Sequence, residues 1–129
     1  MMVLNVANYL ATSMTLVTGT DLFINWKPES PNSLIVVSDY SHDEPVNTMG
    51  QSIPLTERPR LQILVRDNPM EVVQCEARCR TAYNFVCALM DTSLNGKRYT
   101  AIPIQTPTMI GRDEQSRVMY VVNFQVTVS

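Results

Sequence analysis

The chain has 129 residues, 45% of them hydrophobic and 17% charged, with a formal charge of −2. That length supports one domain, residues 1–129, with a core of its own, and the apolar content excludes general disorder. The slight negative balance gives no general reason to expect nucleic-acid binding. The charge is uneven: residues 1–57 hold Lys27 against six acids, about −5, and residues 58–129 hold nine basic residues against six acids, about +3. Regions of opposite sign can meet within one fold or between copies in a ring or stack.

In chain order, Val3, Val6, Ala7, Leu10, Met14 and Val17 follow helical spacing, and Gly19 stands where a C-cap glycine sits. This predicts a helix over about 2–17. The same opening lacks a basic n-region and is interrupted by Asn5 and Asn8, so it does not read as a signal peptide. No run reaches the ~18 apolar residues of a membrane span. Asp21–Lys27 reads as a strand with Leu22, Ile24 and Trp26 on one face. The run Pro28–Asn32 is a turn, because proline fixes φ and removes a ladder donor. Ser33–Ser38 is continuously apolar in its middle, as a strand covered on both faces would be.

Asp39–Glu57 lacks periodicity and reads as a long loop, of the kind that is usually functional or disordered. Arg60–Arg66 is a strand with Leu61, Ile63 and Val65 facing one way. Asn68 as N-cap and Pro69 at the first helical position then open a helix running to about Leu89–Asp91. Its apolar stripe is Val72, Cys75, Cys79, Ala82, Val86 and Leu89, with Glu76, Arg78, Arg80 and Asn84 toward solvent. Asn95-Gly96 turns the chain into a strand at Tyr99–Gln105. A charged turn centred on Gly111-Arg112-Asp113-Glu114 precedes the last strand. There Val118, Tyr120, Val122, Phe124, Val126 and Val128 alternate with Met119, Val121, Asn123, Gln125 and Thr127, the period-two pattern of a half-buried strand. The expected fold is α+β: an antiparallel or mixed β-sheet of about five strands packed against two α-helices, in the order α-β-β-loop-β-α-β-β.

Candidate chemistry is sparse. Cys75 and Cys79, at i and i+4, make half a zinc site, but the one histidine, His42, is far away in sequence and no second cysteine pair has finger-like spacing. Core packing is the better reading for them, and three cysteines within thirteen residues fit reduced thiols in a cytosolic setting. His42, Asp43 and Glu44 would offer a base with carboxylate support, yet no nucleophile accompanies them, and a solvated loop tip explains them better. Arg58 and Arg60 share a strand face and form either an anion-facing row or edge charges that oppose aggregation. No phosphate loop, dinucleotide fingerprint or hydrolase elbow is present. No cofactor, metal or enzymatic activity is expected.

The stretch Gln105-Thr-Pro-Thr-Met-Ile-Gly-Arg-Asp-Glu-Gln-Ser-Arg117, continued to Asn123-Phe124, resembles the closing pattern Q-x-P-x-x-I-G-R-D-E-x-G-R-x-x-x-x-x-N-F of a tailed-phage minor capsid and tail-completion (tail terminator) family. Gln105, Pro107, Ile110 through Glu114, Arg117, Asn123 and Phe124 match it, and Ser116 stands where the pattern has glycine. R-P-R-L-Q-I-L-V-R at 58–66 and a helix carrying Ala82-Tyr83 are also similar. The resemblance implies a non-catalytic virion protein that forms a ring, typically a hexamer, on the end of a long non-contractile tail tube. Such a ring stops polymerisation and presents a surface to the head connector. The implied partners are further copies of itself, the tail tube protein and the head–tail connector proteins, with DNA passing through without sequence-specific binding and no membrane. Assembly would take place in the host cytoplasm. On this reading Gly111, Arg112, Asp113, Glu114, His42, Asp43, Glu44, Arg58 and Arg60 are candidate interface residues. The alternatives are a head-side connector or stopper, a small nucleic-acid-binding module with the arginine strand facing DNA, and a small enzyme using His42.

Overall fold

A computed structural model of the chain describes residues 2–46 and 56–128, with side-chain surroundings for 2–40 and 58–128. Two helices, α1 (Met2–Met14) and α2 (Val72–Cys87), accompany seven strands: β1 (Leu22–Ile24), β2 (Leu34–Val46), β3 (Thr56–Asp67), β4 (Thr92–Leu94), β5 (Lys97–Pro103), β6 (Thr108–Arg112) and β7 (Val118–Val128). They form one sheet in the order β1-β2-β3-β7-β5-β4, with β6 also paired to β7. The β1–β2 pair is parallel and every other pair antiparallel, so the sheet is mixed and the α+β class stands.

The strand count exceeds the expected five because two short strands carry little pattern. Thr92–Leu94 is three residues long, and Asn95-Gly96, with φ of 50° and 82°, closes it onto β5 as a hairpin. That pair of positive φ values is what the favoured two-residue hairpin turn demands. The other, β6, runs through Gly111 and Arg112, where a turn was expected.

Both helices pack on one face of the sheet. From β7, Val118, Tyr120, Val122, Phe124, Val126 and Val128 all point into this core, as the alternation predicts. Cys75, Cys79, Ala82 and Val86 bring α2 down on them, and Val3, Val6, Ala7 and Leu10 bring α1. Asn5 in α1 is buried yet paired, its Nδ2 donating to the Tyr99 hydroxyl at 2.6 Å. On the opposite, helix-free face a smaller cluster forms from Phe23, Leu34 and Val36 with Leu64 against them.

Several expected boundaries move. The first helix stops at Met14, short of residue 17, because Thr15 adopts φ 57° and Leu16 N–H donates to Ala11 O at 2.8 Å. Gly19 instead serves the next turn, donating to Leu22 O. Asn68 and Pro69 belong to a turn, with Glu71 N–H on Asn68 O at 3.0 Å, and α2 begins at Val72 with Glu71 as N-cap and no side-chain cap. Trp26 does not share a face with Leu22 and Ile24. Asn25, at φ 56°, breaks the period of two and leaves Trp26 64% exposed, edge-on to Phe23 with ring centroids 5.8 Å apart.

The largest correction concerns the expected loop at Asp39–Glu57. β2 continues to Val46 and β3 begins at Thr56, pairing Ser41 with Arg60, His42 with Pro59 and Asp43 with Arg58. Register shifts between Asp39 and Ser41, and between Asp43 and Val46, insert extra residues and erase the alternation that would reveal a strand. Residues 47–55 lie outside the described residues.

Cys75 and Cys79 are fully buried, and Cys75 Sγ donates to Val65 O at 3.3 Å. Burial pushes both thiols up to about 12, with the Asp67 charge adding to the shift at Cys75. Alanine at either position should cost about 1–2 kcal/mol in denaturant titration through lost volume. The raised thiols also set an alkaline limit. The unfolded chain releases these protons near 9 and the folded one only near 12, so their contribution is complete below pH 9 and declines as pH rises toward 12. Cys75→Ala/Cys79→Ala should flatten that decline in an alkaline melting series.

Candidate functional site

The Gly111–Glu114 segment begins as strand. Gly111, at φ 121°, lies opposite Met119 just after a register shift, and Arg112 lies opposite Val118. A φ of that value is open to glycine and strained for an L-residue. Asp113 to Ser116 then form the turn, with Ser116 N–H on Asp113 O at 3.0 Å and Asp113 N–H on Arg117 O at 3.1 Å. Ser116 takes φ 62°, the left-handed conformation that explains a glycine in the family pattern at this place.

Asp113 organises the turn. One carboxylate oxygen accepts from the Gln115 and Arg117 amides, both at 3.0 Å, and the other accepts from Arg117 Nε at 2.7 Å. Partial burial opposes ionisation, but the Arg117 amide and guanidinium and the Gln115 amide outweigh it, holding the carboxyl below its ordinary value. The Asp113 charge is therefore paired within its own chain. Arg117, 3% exposed, provides buried support beneath the turn. Arg112 is exposed and also engaged, its Nη1 donating to Pro69 O at 2.8 Å and Ser116 O at 2.7 Å. Glu114 is exposed at the tip.

Arg117 reaches further. Its Nη1 donates to Glu29 O and, at 3.3 Å, to Asn32 Oδ1, while Nη2 lies 3.5 Å from Glu29 Oε2. Arg66, 1% exposed, shares the Glu29 carbonyl, at 3.2 Å, and takes those of Pro28 at 2.8 Å and Pro31 at 2.7 Å through Nη2, and Asn32 at 3.3 Å through Nε. Burial, and then the like charge of Arg117, pull the Arg66 guanidinium below its ordinary value. Between these groups and the Asp113 turn lies a polar cleft of about 430 Å³, with Lys27, Arg112 and Glu114 on its rim.

A neighbouring acid, Asp67, is buried at the end of β3. It accepts from Ser33 Oγ and, at 2.8 Å, from Arg78 Nη1, while its Oδ2 has no partner among the described residues.

Arg58 and Arg60 lie at the opposite end of the sheet, since β3 pairs Arg60 with Gln125 and Glu57 with Val128 while Asp67 meets Val118. Gln125 Nε2 donates to Arg58 O at 3.0 Å there. His42 and Asp43 run alongside in register, and Glu44 falls in the shifted stretch; the side chains of all three lie outside the described residues. The nine candidate residues therefore form two groups, one at each end of β7. Among the described residues no set of three His, Cys, Asp or Glu side chains could hold a metal ion, and no helix is long and apolar enough to cross a membrane.

The arrangement is one of structural ion pairs and strand edges. A family model for the bacteriophage tail terminator protein matches residues 9–129. The chain belongs to the bacteriophage tail terminator family. Its role is thus that of a structural phage tail protein, a component of the virion tail, in a family that is generally non-catalytic. No curated protein matches the chain. The terminator match takes in the C-terminal part of α1, all of α2 and all seven strands, extending the similarity to residues ahead of 58.

In the sequence Arg66 is only the end of a strand and Arg117 only a pattern match. The available signal was an arginine directly after the apolar run Ile63-Leu64-Val65, and another directly ahead of the run that begins at Val118. Two substitutions separate their roles. Arg117→Ala leaves Asp113 Oδ2 without its donor and removes one of the two cations that hold the 28–32 loop, and should destabilise by about 3 kcal/mol in chemical unfolding. Ser116→Gly relieves the left-handed strain and should stabilise by about 0.5–1 kcal/mol, read as a higher melting temperature.

Proposed function

We propose that this terminator is the subunit of a ring, a hexamer, that caps the end of a long tail tube, stops tube polymerisation and provides the surface to which the head is joined. The observation that carries this reading is the family match over residues 9–129. The fold is compatible with it: a rigid sheet backed by two helices, with its acidic and basic regions toward opposite sheet edges, suits a head-to-tail contact in which one patch meets a different patch on the next copy. The partners are further copies of the chain, the tube protein on one face and the connector proteins on the other. DNA passes through the ring without sequence-specific contact. The subunit acts without catalysis, assembling in the host cytoplasm before incorporation into the tail.

The charged ends of β7 supply candidate contacts. Glu114 and Gln115 at one end, and Arg58 and Arg60 with the 42–44 segment at the other, would face the tube, the connector or the adjoining subunit.

Light scattering on purified protein should give a discrete ring-sized mass, alone or on addition of tubes. Added to polymerising tube protein, the terminator should shorten the tubes in a dose-dependent way and lie at one end in electron micrographs. Binding to the head connector with no effect on tube length would move the protein to the head side of the joint. A strict monomer that ignores tubes would reject the ring.

A further inference from the structure

Of the nine asparagines in the chain, one stands directly before a glycine, in the Asn95-Gly96 pair that turns β4 into β5. Both residues are exposed, at φ of 50° and 82°. In a two-residue turn of this kind the ladder bonds run between the flanking residues, here Leu94 and Lys97, and the amide inside the turn is left over. Gly96 N–H accordingly has no acceptor among the described residues. A Cβ placed on Gly96 would meet nothing within 4 Å, so this side of the turn is open to solvent. On its other side an open pocket of about 730 Å³ lies between the turn and α1. There Asn95 Nδ2 donates to Asn5 Oδ1 at 3.4 Å, and Asn5 Nδ2 donates in turn to the Tyr99 hydroxyl.

We infer that Asn95 is a site of spontaneous deamidation, and that the isoaspartyl product of this change unlocks the β4–β5 hairpin. The Gly96 nitrogen, giving up its proton to base, attacks Asn95 Cγ. A C–N bond forms, the Cγ–Nδ2 bond breaks, and the side-chain nitrogen takes a proton from water and leaves as ammonia. Water then opens the cyclic imide at either carbonyl and returns aspartate or isoaspartate. Glycine matters here because no side chain hinders the approach of its nitrogen. The two products act differently. Aspartate keeps the length of the backbone, and the Asn5 amide can turn over to suit it. Nδ2 then donates to the new carboxylate, while Oδ1 accepts from the Tyr99 hydroxyl, a group that serves in either sense. Isoaspartate routes the main chain through Cβ and adds a carbon to a turn of two residues, so Leu94 and Lys97 lose their register. β4 is three residues long, lies at the end of the sheet and pairs with β5 alone, so nothing else in the sheet retains it. A component of the virion tail is not resynthesised once assembled, and the change accumulates with age.

The test holds the folded full chain, reduced, in mildly alkaline buffer and follows it by peptide mapping and by labelling with an isoaspartyl methyltransferase. Conversion should appear at Asn95 ahead of every other asparagine and rise in proportion to hydroxide. The labelled fraction should lose amide-exchange protection in β4 and at the start of β5, while the centre of β7 keeps its own. Two variants assign the effect. Asn95→Gly keeps a turn-forming pair without the side-chain amide, and its hairpin peptide should take no label. Asn95→Asp should keep the melting temperature and the hairpin protection of wild type. If Asn95 stays intact in the folded chain while the same peptide converts in urea, or if another asparagine converts first, the site is wrong. Label on the hairpin peptide of Asn95→Gly overturns it equally. An isoaspartyl fraction whose hairpin exchanges like unmodified protein, or an Asn95→Asp chain as frayed as that fraction, overturns the role given to isoaspartate.

Discussion

The fold depends on how the segment between β1 and β2 is held. Parallel strands need a crossover, normally a dozen residues or more and usually a helix that satisfies its own backbone. Here residues 25–33 make the return, two of them prolines without a donor, and no ladder is available for the loop's carbonyls. Arg66 and Arg117 substitute for it. Their guanidinium groups take carbonyls of Pro28, Glu29, Pro31 and Asn32, so two cations replace the hydrogen bonds a helix would have made. Two like charges this close and this buried require compensation, and Asp113 with Glu29 provides it. The closing turn is thereby tied to the first crossover, linking the two halves of the chain.

Around that clasp, β7 is the member every other part refers to. One edge is taken by β3 along nearly its whole length. The other is shared, β6 taking residues 118–121 and β5 taking 124–128. The chain between β5 and β6 leaves the sheet at the point of exchange, and Ile104 N–H stays tethered to Asn123 O at 2.8 Å. Ile102 and Ile104, about half exposed, lie on and beside this excursion, so the feature that divides the edge of β7 also leaves apolar side chains in solvent.

What was legible in the sequence follows from periodicity. The face of β7, the stripe of α2 and the alternation of β3 obey a single period for many residues and were placed correctly. Where a register shift, a left-handed residue or a three-residue strand intervenes, the period fails. That is why the Asp39–Val46 arm of β2 reads as loop, why alternation alone places Trp26 on the wrong face, and why β4 and β6 carry no signal. The family pattern pointed to the right segment but not to its physics. Asp113 looked like an outward charge because Arg117, its partner, becomes buried only when residues 28–32 fold over it, a contact between positions over eighty residues apart. The turn at residue 116 shows the reverse, since a serine in place of the pattern's glycine gives no reason to expect the left-handed conformation it adopts.

The long antiparallel match between β3 and β7, from Glu57–Val128 to Asp67–Val118, has a mechanical meaning. A load applied along the strands meets these backbone hydrogen bonds side by side, so they share it and must fail together. The same load applied across the strands would open them one at a time. In a tail loaded along its length, a subunit whose two central strands follow that direction would resist as a shear joint, whereas one lying crosswise would peel.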